Sequence, residues 1–393
     1  MLCIHYIILF VEFQQKVLIF LRFTYIIVKK TKTGGRFMKV IPPCPENILQ
    51  VGRTITDGDT LFPVQSGSGC RFMFSGRRLC IVIGCGKDIE NSAPFCNKPR
   101  FAVTVNGVFI VKKVAETAEE EYTIIDSDTP VDAEVCIIKL SEAAFSVGTV
   151  RILADTDAVI RPAQKLPYRI EFIGDSITCA YGVDDSNTQS EFATEAENAM
   201  KSYACKAAGL LGAEYSLFSY SGHGIISGWT DNGERNTREI IVPYYRTAGF
   251  SYAAAAGRRT EDIPWENTML PCDVVTVNLG TNDASYCKAH PQRREEFRKA
   301  YTDFLRTLRS FAPDAYIIAS LGIMNHDLMP EIEAAAEELR NEGDSRISAF
   351  SFTEQDGMLG YGSNWHPSAE THLRAAGELA AFIREKGILQ RKG

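Results

Sequence analysis

The pattern of hydrophobic positions changes partway along the chain. Before Ala163, short apolar stretches are separated by Gly, Asp, Asn and Pro, as in CRFMFSG (70–76), LCIVIGC (79–85), RFAVTVNGVFIV (100–111), EYTIIDS (121–127), AEVCIIKLS (133–141) and VGTVRILAD (147–155). Short strands with regular turn signals are typical of a β-sandwich or jelly roll. The pair Asn106-Gly107 inside the third stretch predicts a hairpin. Residues 38–163 are therefore predicted to form an all-β domain.

After Lys165 the apolar stretches alternate with amphipathic ones. The pattern predicts strands at 168–174, 214–221, 273–280, 315–322 and 346–352, and helices at about 194–210, 291–311, 329–341 and 367–386. Near-continuous apolar strands separated by helices indicate a parallel sheet covered on both faces. A polar stretch with two prolines at 161–167 marks the predicted boundary. Residues 164–393 are therefore predicted to form a three-layer α/β domain.

Residues 1–37 fit neither of these domains. The apolar run at 1–28 is interrupted by Glu12, Gln14, Gln15, Lys16 and Arg22. It is a poor match to a membrane span, which needs roughly 20 mostly apolar residues, and to a signal peptide. Three interpretations stay open: a membrane anchor, a secretion signal, or sequence upstream of a true start at Met38. The last is favoured because MKVIPPCPENILQVGRT (38–54) resembles the beginning of a folded domain.

Composition narrows the classes of function. Hydrophobic residues make up 45% and charged residues 23%, which is ordinary globular usage. With 42 Lys and Arg against 49 Asp and Glu, the net charge is −7, so the chain lacks the basic footprint of a nucleic-acid binder. The 11 cysteines include no CxxC pair, which disfavours a disulfide framework or a zinc site. Reduced thiols favour the cytoplasm, while secretion or anchoring stays open if residues 1–37 are genuine.

Residues suited to acyl transfer follow three of the predicted strands and precede the last helix. In parallel sheets, ligands bind beyond the carboxyl ends of the strands. Ser176, Gly222 and Asn282 each come just after such an end, and His366 lies just before the last helix. Each alone is explained by a turn, a helix cap or a surface position. Together they predict a hydrolase site in which Ser176 is the nucleophile and His366 its general base. The N–H groups of Ser176 and Gly222 and the amide of Asn282 would form the oxyanion hole.

The four sequence blocks around these residues, GDSIT, SGHG, NLGTND and NWHPS, resemble those of the SGNH (GDSL) hydrolase superfamily. This resemblance covers about residues 165–390. With a β-rich domain in front, the chain is also similar to carbohydrate esterase family 2, whose members remove acetyl groups from plant polysaccharides and their oligosaccharides. The resemblance implies a serine carbohydrate O-acetyl esterase that acts through an acetyl-enzyme. It implies an acetylated carbohydrate as substrate, no metal or organic cofactor, and no integral membrane partner.

The chain departs from the family pattern beside the histidine. Most SGNH enzymes have Asp three residues before the His, and some family 2 esterases have it two residues before; here these positions are Ser363 and Asn364. Part of the family is understood to use a Ser–His dyad, with the carbonyl of the preceding Trp as acceptor. The resemblance therefore predicts that the backbone carbonyl of Trp365 orients His366. A distant carboxylate that completes a triad stays open as the alternative.

Other residues near the blocks are weaker candidates. Trp265, His223 and Tyr181 are hypothesised to contact the substrate, against core or surface roles for each. Asp175 is expected to brace the turn around the serine, and Asp283 to cap a helix. Two other functions stay open: a different SGNH ester hydrolase (a lipase, thioesterase or arylesterase), and a catalytically weak carbohydrate-binding protein.

Overall fold

The described part of the chain, residues 38–90 and 93–389 of a computed structural model, contains two separate β-sheets. The first sheet is antiparallel and the second is parallel. The interpretations of residues 1–37 lie outside the described residues. Among the residues described, no helix combines the length and the apolar character needed to cross a membrane.

The first sheet has ten strands among the described residues. These are β1 (Met38–Ile41), β2 (Leu49–Val51), β3 (Thr54–Asp57), β4 (Thr60–Pro63), β5 (Gly69–Gly84), β6 (Arg100–Val105), β7 (Val108–Val114), β8 (Glu120–Lys139), β9 (Thr149–Asp155) and β10 (Val159–Pro162). The path runs β3-β4-β9-β5-β8-β6-β7, with β1 paired to β9 and both β2 and β10 paired to β5. A short helix, α1 (Lys87–Glu90), and a 3₁₀ turn at Phe95–Asn97 follow β5.

Two long strands give this antiparallel sheet its sandwich character. The strands β5 and β8 pair along most of their lengths, and each covers two of the stretches predicted as separate strands. The pairing shifts register near Gly76 and again between Leu79 and Cys80. Such bulges bend a strand, so that one strand contributes to both halves of a sandwich. The predicted hairpin at Asn106-Gly107 is confirmed, with φ of 50° and 79° at the two residues. The predicted all-β sandwich architecture is confirmed.

The second sheet is parallel throughout, in the order β12-β11-β13-β14-β15. Its strands are β11 (Tyr168–Gly174), β12 (Ala213–Ser219), β13 (Val274–Asn278), β14 (Tyr316–Leu321) and β15 (Ile347–Ser351). The helices are α2 (Ser176–Cys179), α3 (Tyr203–Leu211), α4 (Thr281–Cys287), α5 (Pro291–Phe311), α6 (Met329–Asn341) and α7 (Ala369–Glu385). A long segment, residues 220–273, joins β12 to β13 and contains short 3₁₀ turns and isolated β-bridges.

Helices cover both faces of the parallel sheet. Apolar residues of β11, β13 and β14 pack on one face against α5 and α6, and on the other against α3 and α7. This confirms the three-layer α/β architecture. The predicted bounds of α5 and α6 agree with the structure, but the helix predicted over 194–210 is shorter. Residues 194–201 form two 3₁₀ turns, and the α-helix begins after Ser202, whose hydroxyl accepts a hydrogen bond from the Ala204 N–H.

The β-rich region (residues 38–162) and the parallel-sheet region (residues 168–389) share a buried polar junction. Arg53, which is fully buried, donates through Nη2 to Glu171 Oε1 of β11 at 2.9 Å. Its Nη1 donates to the Tyr245 carbonyl at 2.6 Å, and its guanidinium lies 4.2 Å from the centre of the Phe218 ring. A buried charge needs partners of this kind, because leaving water without them is costly. The two regions are therefore packed together by specific polar contacts.

Candidate active site

The serine lies in a tight turn after the central strand. Gly174 ends β11, and a Cβ at this position would lie 2.1 Å from Thr178 Oγ1, so the turn requires glycine. The Asp175 carboxylate accepts a hydrogen bond from the Ile177 N–H at 3.0 Å and caps the four-residue helix α2. Ser176 is the first residue of this helix and is 7% exposed. The predicted bracing role of Asp175 agrees with this contact.

His366 reaches the serine from the turn before α7. Its Nε2 lies 2.9 Å from Ser176 Oγ. Its Nδ1 lies 3.2 Å from the carbonyl oxygens of both Ser363 and Asn364. Two carbonyl acceptors require a proton on Nδ1, which leaves Nε2 as the acceptor for the serine hydroxyl. The ring therefore has the tautomer that a general base needs.

The pKa of His366 also favours the base form. Burial lowers the pKa of His366 to about 4, although the two carbonyls at Nδ1 act in the opposite direction. Burial disfavours the charged imidazolium because it removes the water that would solvate the charge. The ring is therefore neutral at pH 7.

The predicted contact of the Trp365 carbonyl is wrong. This carbonyl accepts a hydrogen bond from Gln355 Nε2 at 2.8 Å, while the carbonyls of Ser363 and Asn364 face the histidine. The physical reason is the local backbone: φ is 49° at Asn364 and 60° at Trp365. Two consecutive residues in the left-handed region turn the Trp365 carbonyl away, and such values are uncommon outside glycine.

Tyr181 packs on the imidazole of His366. Its ring is stacked on that of His366, with centroids 4.2 Å apart and planes at 29°. Its hydroxyl accepts a hydrogen bond from Asn364 Nδ2 at 2.7 Å, and the side chain is 7% exposed. In place of the hypothesised substrate contact, the structure gives Tyr181 contacts that hold the His366 ring. The side chain of Asn364 therefore contacts Tyr181, while its carbonyl contacts His366 Nδ1 directly.

Two backbone N–H groups near the serine have no protein acceptor within residues 38–90 and 93–389: those of Ser176 and Gly222. Gly222 has a φ of 75°, which glycine adopts without strain. Its carbonyl accepts a hydrogen bond from the Trp229 N–H at 2.9 Å. Unpaired N–H groups beside a nucleophile are the donors that an oxyanion hole requires.

Asn282 connects the serine turn to the glycine turn. Its Nδ2 donates to the His223 carbonyl at 2.8 Å and lies 3.3 Å from Asp175 Oδ2, and the residue is 7% exposed. The structure thus brings Ser176, Gly222 and Asn282 to one edge of the sheet, where they were predicted to meet. Of the two bonds made by Asn282 Nδ2, the bond to Asp175 is longer. A substrate oxygen would therefore replace Asp175 as the acceptor of that N–H group.

Asp283 anchors the loop that follows Gly222. Its carboxylate accepts hydrogen bonds from the N–H groups of Ile225, Ile226 and Ser227 at 2.8–3.1 Å. The predicted helix-capping role is wrong, because Gly280 is the N-cap of α4 and the carboxylate faces another loop. Burial raises the pKa of Asp283 to about 6 and that of Asp175 to about 7.

The remaining two hypothesised substrate contacts lie away from open solvent. Trp265 is 4% exposed, with its ring 5.5 Å from the Arg53 guanidinium. It is a core residue, so its proposed role as a sugar platform is corrected. His223 is 5% exposed, and its Nδ1 lies 2.9 Å from the Ser221 carbonyl. It belongs to the glycine turn, where its own carbonyl holds Asn282.

Two polar residues of the site were missed by reasoning from the sequence. Gln355 binds the Trp365 carbonyl, and Glu142 binds the backbone N–H of Ser221. Neither belongs to a recognisable motif, and each contact depends on how distant segments pack. A metal site was not predicted, and no group of three or more His, Cys, Asp or Glu suited to a metal ion occurs in the described part of the chain.

Comparisons with known proteins found a matching family model and several relatives. The sequence model of the GDSL-like lipase/acylhydrolase family matches residues 172–377, more than half of the chain. The chain is 29% identical to the cellulase/esterase CelE of Acetivibrio thermocellus over 330 residues, which cover 82% of this chain and 37% of that protein. The chain thus spans little more than a third of that relative's length.

Two further relatives share most of their length with the chain. An acetylxylan esterase/glucomannan deacetylase of Cellvibrio japonicus is 24% identical over 67% of this chain and 72% of that protein. The solved structure of a family two carbohydrate esterase from Clostridium thermocellum in complex with cellohexaose superposes with a TM-score of 0.74. It is 25% identical and covers 87% of this chain and 100% of that one. The resemblances to the GDSL hydrolases and to carbohydrate esterase family 2 are both confirmed.

Proposed function

The chain belongs to the GDSL-like lipase/acylhydrolase family, a membership that confirms the predicted class of carboxylic ester hydrolase, and on that premise we propose that it is a serine carbohydrate O-acetyl esterase. The observation that carries the proposal is the 2.9 Å contact between His366 Nε2 and Ser176 Oγ. The unpaired N–H groups of Ser176 and Gly222 lie at the same edge of the sheet. A nucleophile, a neutral base and oxyanion donors are the parts that acyl transfer requires.

In the proposed mechanism, His366 Nε2 takes the proton of Ser176 Oγ as the oxygen attacks the acetyl carbonyl. The negative charge that develops on the carbonyl oxygen is stabilised by the N–H groups of Ser176 and Gly222, with Asn282 as third donor. His366 then protonates the departing sugar oxygen, leaving an acetyl group on Ser176. A water molecule, deprotonated by the same histidine, releases acetate and restores the serine. The carbonyls of Ser363 and Asn364 stabilise the imidazolium that forms twice in this cycle.

The surface around the serine supports a sugar as the alcohol part of the ester. Trp229 is 58% exposed and Trp365 is 54% exposed. The backbone N–H of Trp229 donates to the Gly222 carbonyl, and Trp365 precedes His366 in the chain. Exposed indoles combine a large apolar face with a polar edge, as does a sugar ring. The names of the relatives, acetylxylan esterase and glucomannan deacetylase, support the same substrate class.

One observation favours a second candidate, a carbohydrate-binding protein with weak catalysis. Within the described residues, Nδ1 of His366 faces two neutral carbonyls and no carboxylate. A neutral acceptor fixes the tautomer but stabilises the imidazolium less than a carboxylate does. In this alternative, the exposed indoles bind glycans and turnover is incidental.

Acetate release from acetylated xylan or mannan oligosaccharides distinguishes these functions. We expect wild type to release acetate, and Ser176→Ala to lose about 10⁴–10⁶ of the turnover. The control is Ser345→Ala, because Ser345 is exposed and precedes β15, at the opposite edge of the sheet. Glycan binding by wild type without acetate release would support the binding protein instead. Substantial turnover by Ser176→Ala would overturn the proposed mechanism.

A further inference from the structure

The glycine turn is held by a side chain from outside the parallel-sheet region. Glu142 follows β8 of the antiparallel sheet and is 1% exposed. Its Oε2 accepts a hydrogen bond from the N–H of Ser221 at 2.9 Å. Ser221 immediately precedes Gly222, whose N–H is a proposed oxyanion donor. The two peptide groups are joined through one residue, so fixing one restricts the orientation of the other.

The same carboxylate oxygen also contacts the serine turn. Cys179 Sγ lies 3.6 Å from Glu142 Oε2, within the range of a thiol hydrogen bond. Cys179 is the last residue of α2, the short helix that begins at Ser176. One oxygen of Glu142 therefore touches both segments that supply backbone oxyanion donors.

Glu142 is itself held in place by a buried cluster. Its carbonyl accepts a hydrogen bond from Lys139 Nζ at 2.6 Å, and its N–H donates to Glu197 Oε2 at 2.8 Å. Lys139 is fully buried and also donates to the carbonyls of Val64 and Ser141. Burial, together with the charge of Glu142, raises the pKa of Glu197 well above its usual range. A buried network of this kind fixes the position of each member, because an unpaired polar group inside a protein is costly.

We propose that Glu142 is a positioning residue for the oxyanion hole, so that the β-rich region supplies part of the esterase machinery. This proposal rests on the proposed function, because it assigns a role within the same site. The carboxylate does not touch the reacting atoms; it acts through the Ser221 N–H. A hydrogen bond from an N–H to a charged acceptor is stronger than one to a neutral oxygen. An anionic side chain at this position therefore holds the turn more firmly than an amide would.

Three substitutions test the role of the carboxylate. Glu142→Gln keeps the shape and an acceptor oxygen but loses the charge, Glu142→Asp withdraws the carboxylate by one methylene, and Glu142→Ala removes the contact. Outright loss of one oxyanion donor costs about 10²–10³ in turnover. We expect Glu142→Ala to lower kcat by about one to two orders of magnitude, with KM little changed. Glu142→Gln should lie between Glu142→Ala and wild type.

The matched control also breaks a contact between the two regions. This contact lies near the start of β12, whereas Ser221 follows the end of β12. Arg71 of β5 pairs with Glu214, near the start of β12, at 3.1 Å. Arg71→Ala should lower the melting temperature but leave kcat unchanged, because its contact is at the edge of the sheet away from Ser176. If Glu142→Ala does not fold, Glu142→Gln compared with Arg71→Ala decides the question.

Two assays separate this proposal from the proposed function. The first is hydrolysis of p-nitrophenyl acetate, and the second is the rate at which an organophosphonate labels Ser176. Absence of both reactions in wild type would refute the proposed esterase and the positioning role with it. Normal activity in wild type with unchanged kcat and labelling rate in folded Glu142 variants would overturn the positioning role alone. A lower kcat in the Glu142 variants, at a melting temperature no lower than that of Arg71→Ala, supports it.

Discussion

In the parallel-sheet region, several buried polar side chains lie at the carboxyl edge of the strands. In the β-rich region, several of the most deeply buried polar side chains face the other region. Ser176 and Asn282 exemplify the first arrangement. Arg53 and Glu142 exemplify the second, since each binds a group beyond Tyr168. The difference indicates a division of labour. In the proposed esterase, the parallel-sheet region supplies the groups that react, and the β-rich region supplies contacts that hold those groups in place.

The β-rich region could be either a separate glycan-binding module or a part of the esterase itself. A module that only bound glycans would present its polar and aromatic groups to solvent. Here the guanidinium of Arg53 is enclosed between aromatic rings of the neighbouring region and bonded to Glu171. A module that worked independently would not place a fully buried cation against a carboxylate of its neighbour, because separating the two regions would leave both charges unpaired. The β-rich region is therefore better understood as part of the enzyme's framework.

The strongest test of this difference between the regions is to remove a proposed reacting group. Such a change should lower activity without lowering stability. His366→Gln should lower kcat by about 10⁴–10⁶, because the serine then has no base. The melting temperature should change little, because the hydrogen bonds from Nδ1 of His366 are long, at 3.2 Å, and go to carbonyls of its own turn. Steady-state acetate release and thermal unfolding, measured on the same preparation, check both statements. Unfolding of this variant would show that the histidine also belongs to the framework.

Removing a framework group should have the opposite effect. Arg53→Ala leaves Glu171 buried without its cation, and breaking such a pair costs about 3–5 kcal/mol in the free energy of unfolding. Urea unfolding followed by fluorescence measures the change. The kcat of the molecules that remain folded should stay near that of wild type. As a control, Arg53→Met combined with Glu171→Gln should recover much of the stability, because no charge is then left unpaired.

The smallest expected effect concerns the pH dependence of the site. The base form of His366 is needed, and burial lowers its pKa to about 4. The acid limb of kcat/KM in wild type should therefore lie near pH 4, with activity lost as the pH falls through that value. Asn364→Asp places a negative charge beside the imidazole and favours the imidazolium, so the limb should move to higher pH.

Asn364→Gly is the neutral control for that measurement, because glycine adopts the φ of 49° at this position without strain. It should leave the position of the limb unchanged. A wild-type limb near 6.5, the usual value for histidine, would contradict the account of a desolvated base. An unmoved limb in Asn364→Asp would show that position 364 is electrostatically separate from the ring.

How far the sequence predicts this site depends on whether a residue acts through its neighbours in the chain. Ser176, Gly222 and Asn282 each follow a strand of a parallel sheet, and the carboxyl ends of such strands meet at one edge. Their proximity was therefore predictable. The bounds of α5 (Pro291–Phe311) were predictable as well, because its buried residues recur at helical spacing.

Other features depend on contacts that no local pattern reveals. The carbonyl of Trp365 points away from His366 because of two successive positive φ angles, and the residue types at these positions do not predict such angles. Trp265 is buried because Arg53, more than 200 residues earlier, packs against it. The importance of Glu142 appears only when the end of β8 is placed beside the glycine turn. The burial of Trp265 and the contact of Glu142 follow from packing between distant segments, and the direction of the Trp365 carbonyl follows from the local backbone.

The most direct test of the central claim is to trap the acetyl-enzyme. Wild type is mixed with an acetylated xylo-oligosaccharide, quenched in acid within milliseconds, digested and examined by mass spectrometry. The account predicts one acetyl group on the peptide that contains Ser176, and none in the same peptide of Ser176→Ala. Acetate release by wild type without any acetylated Ser176, at a rate that Ser176→Ala retains, would contradict the assignment of Ser176 as the nucleophile.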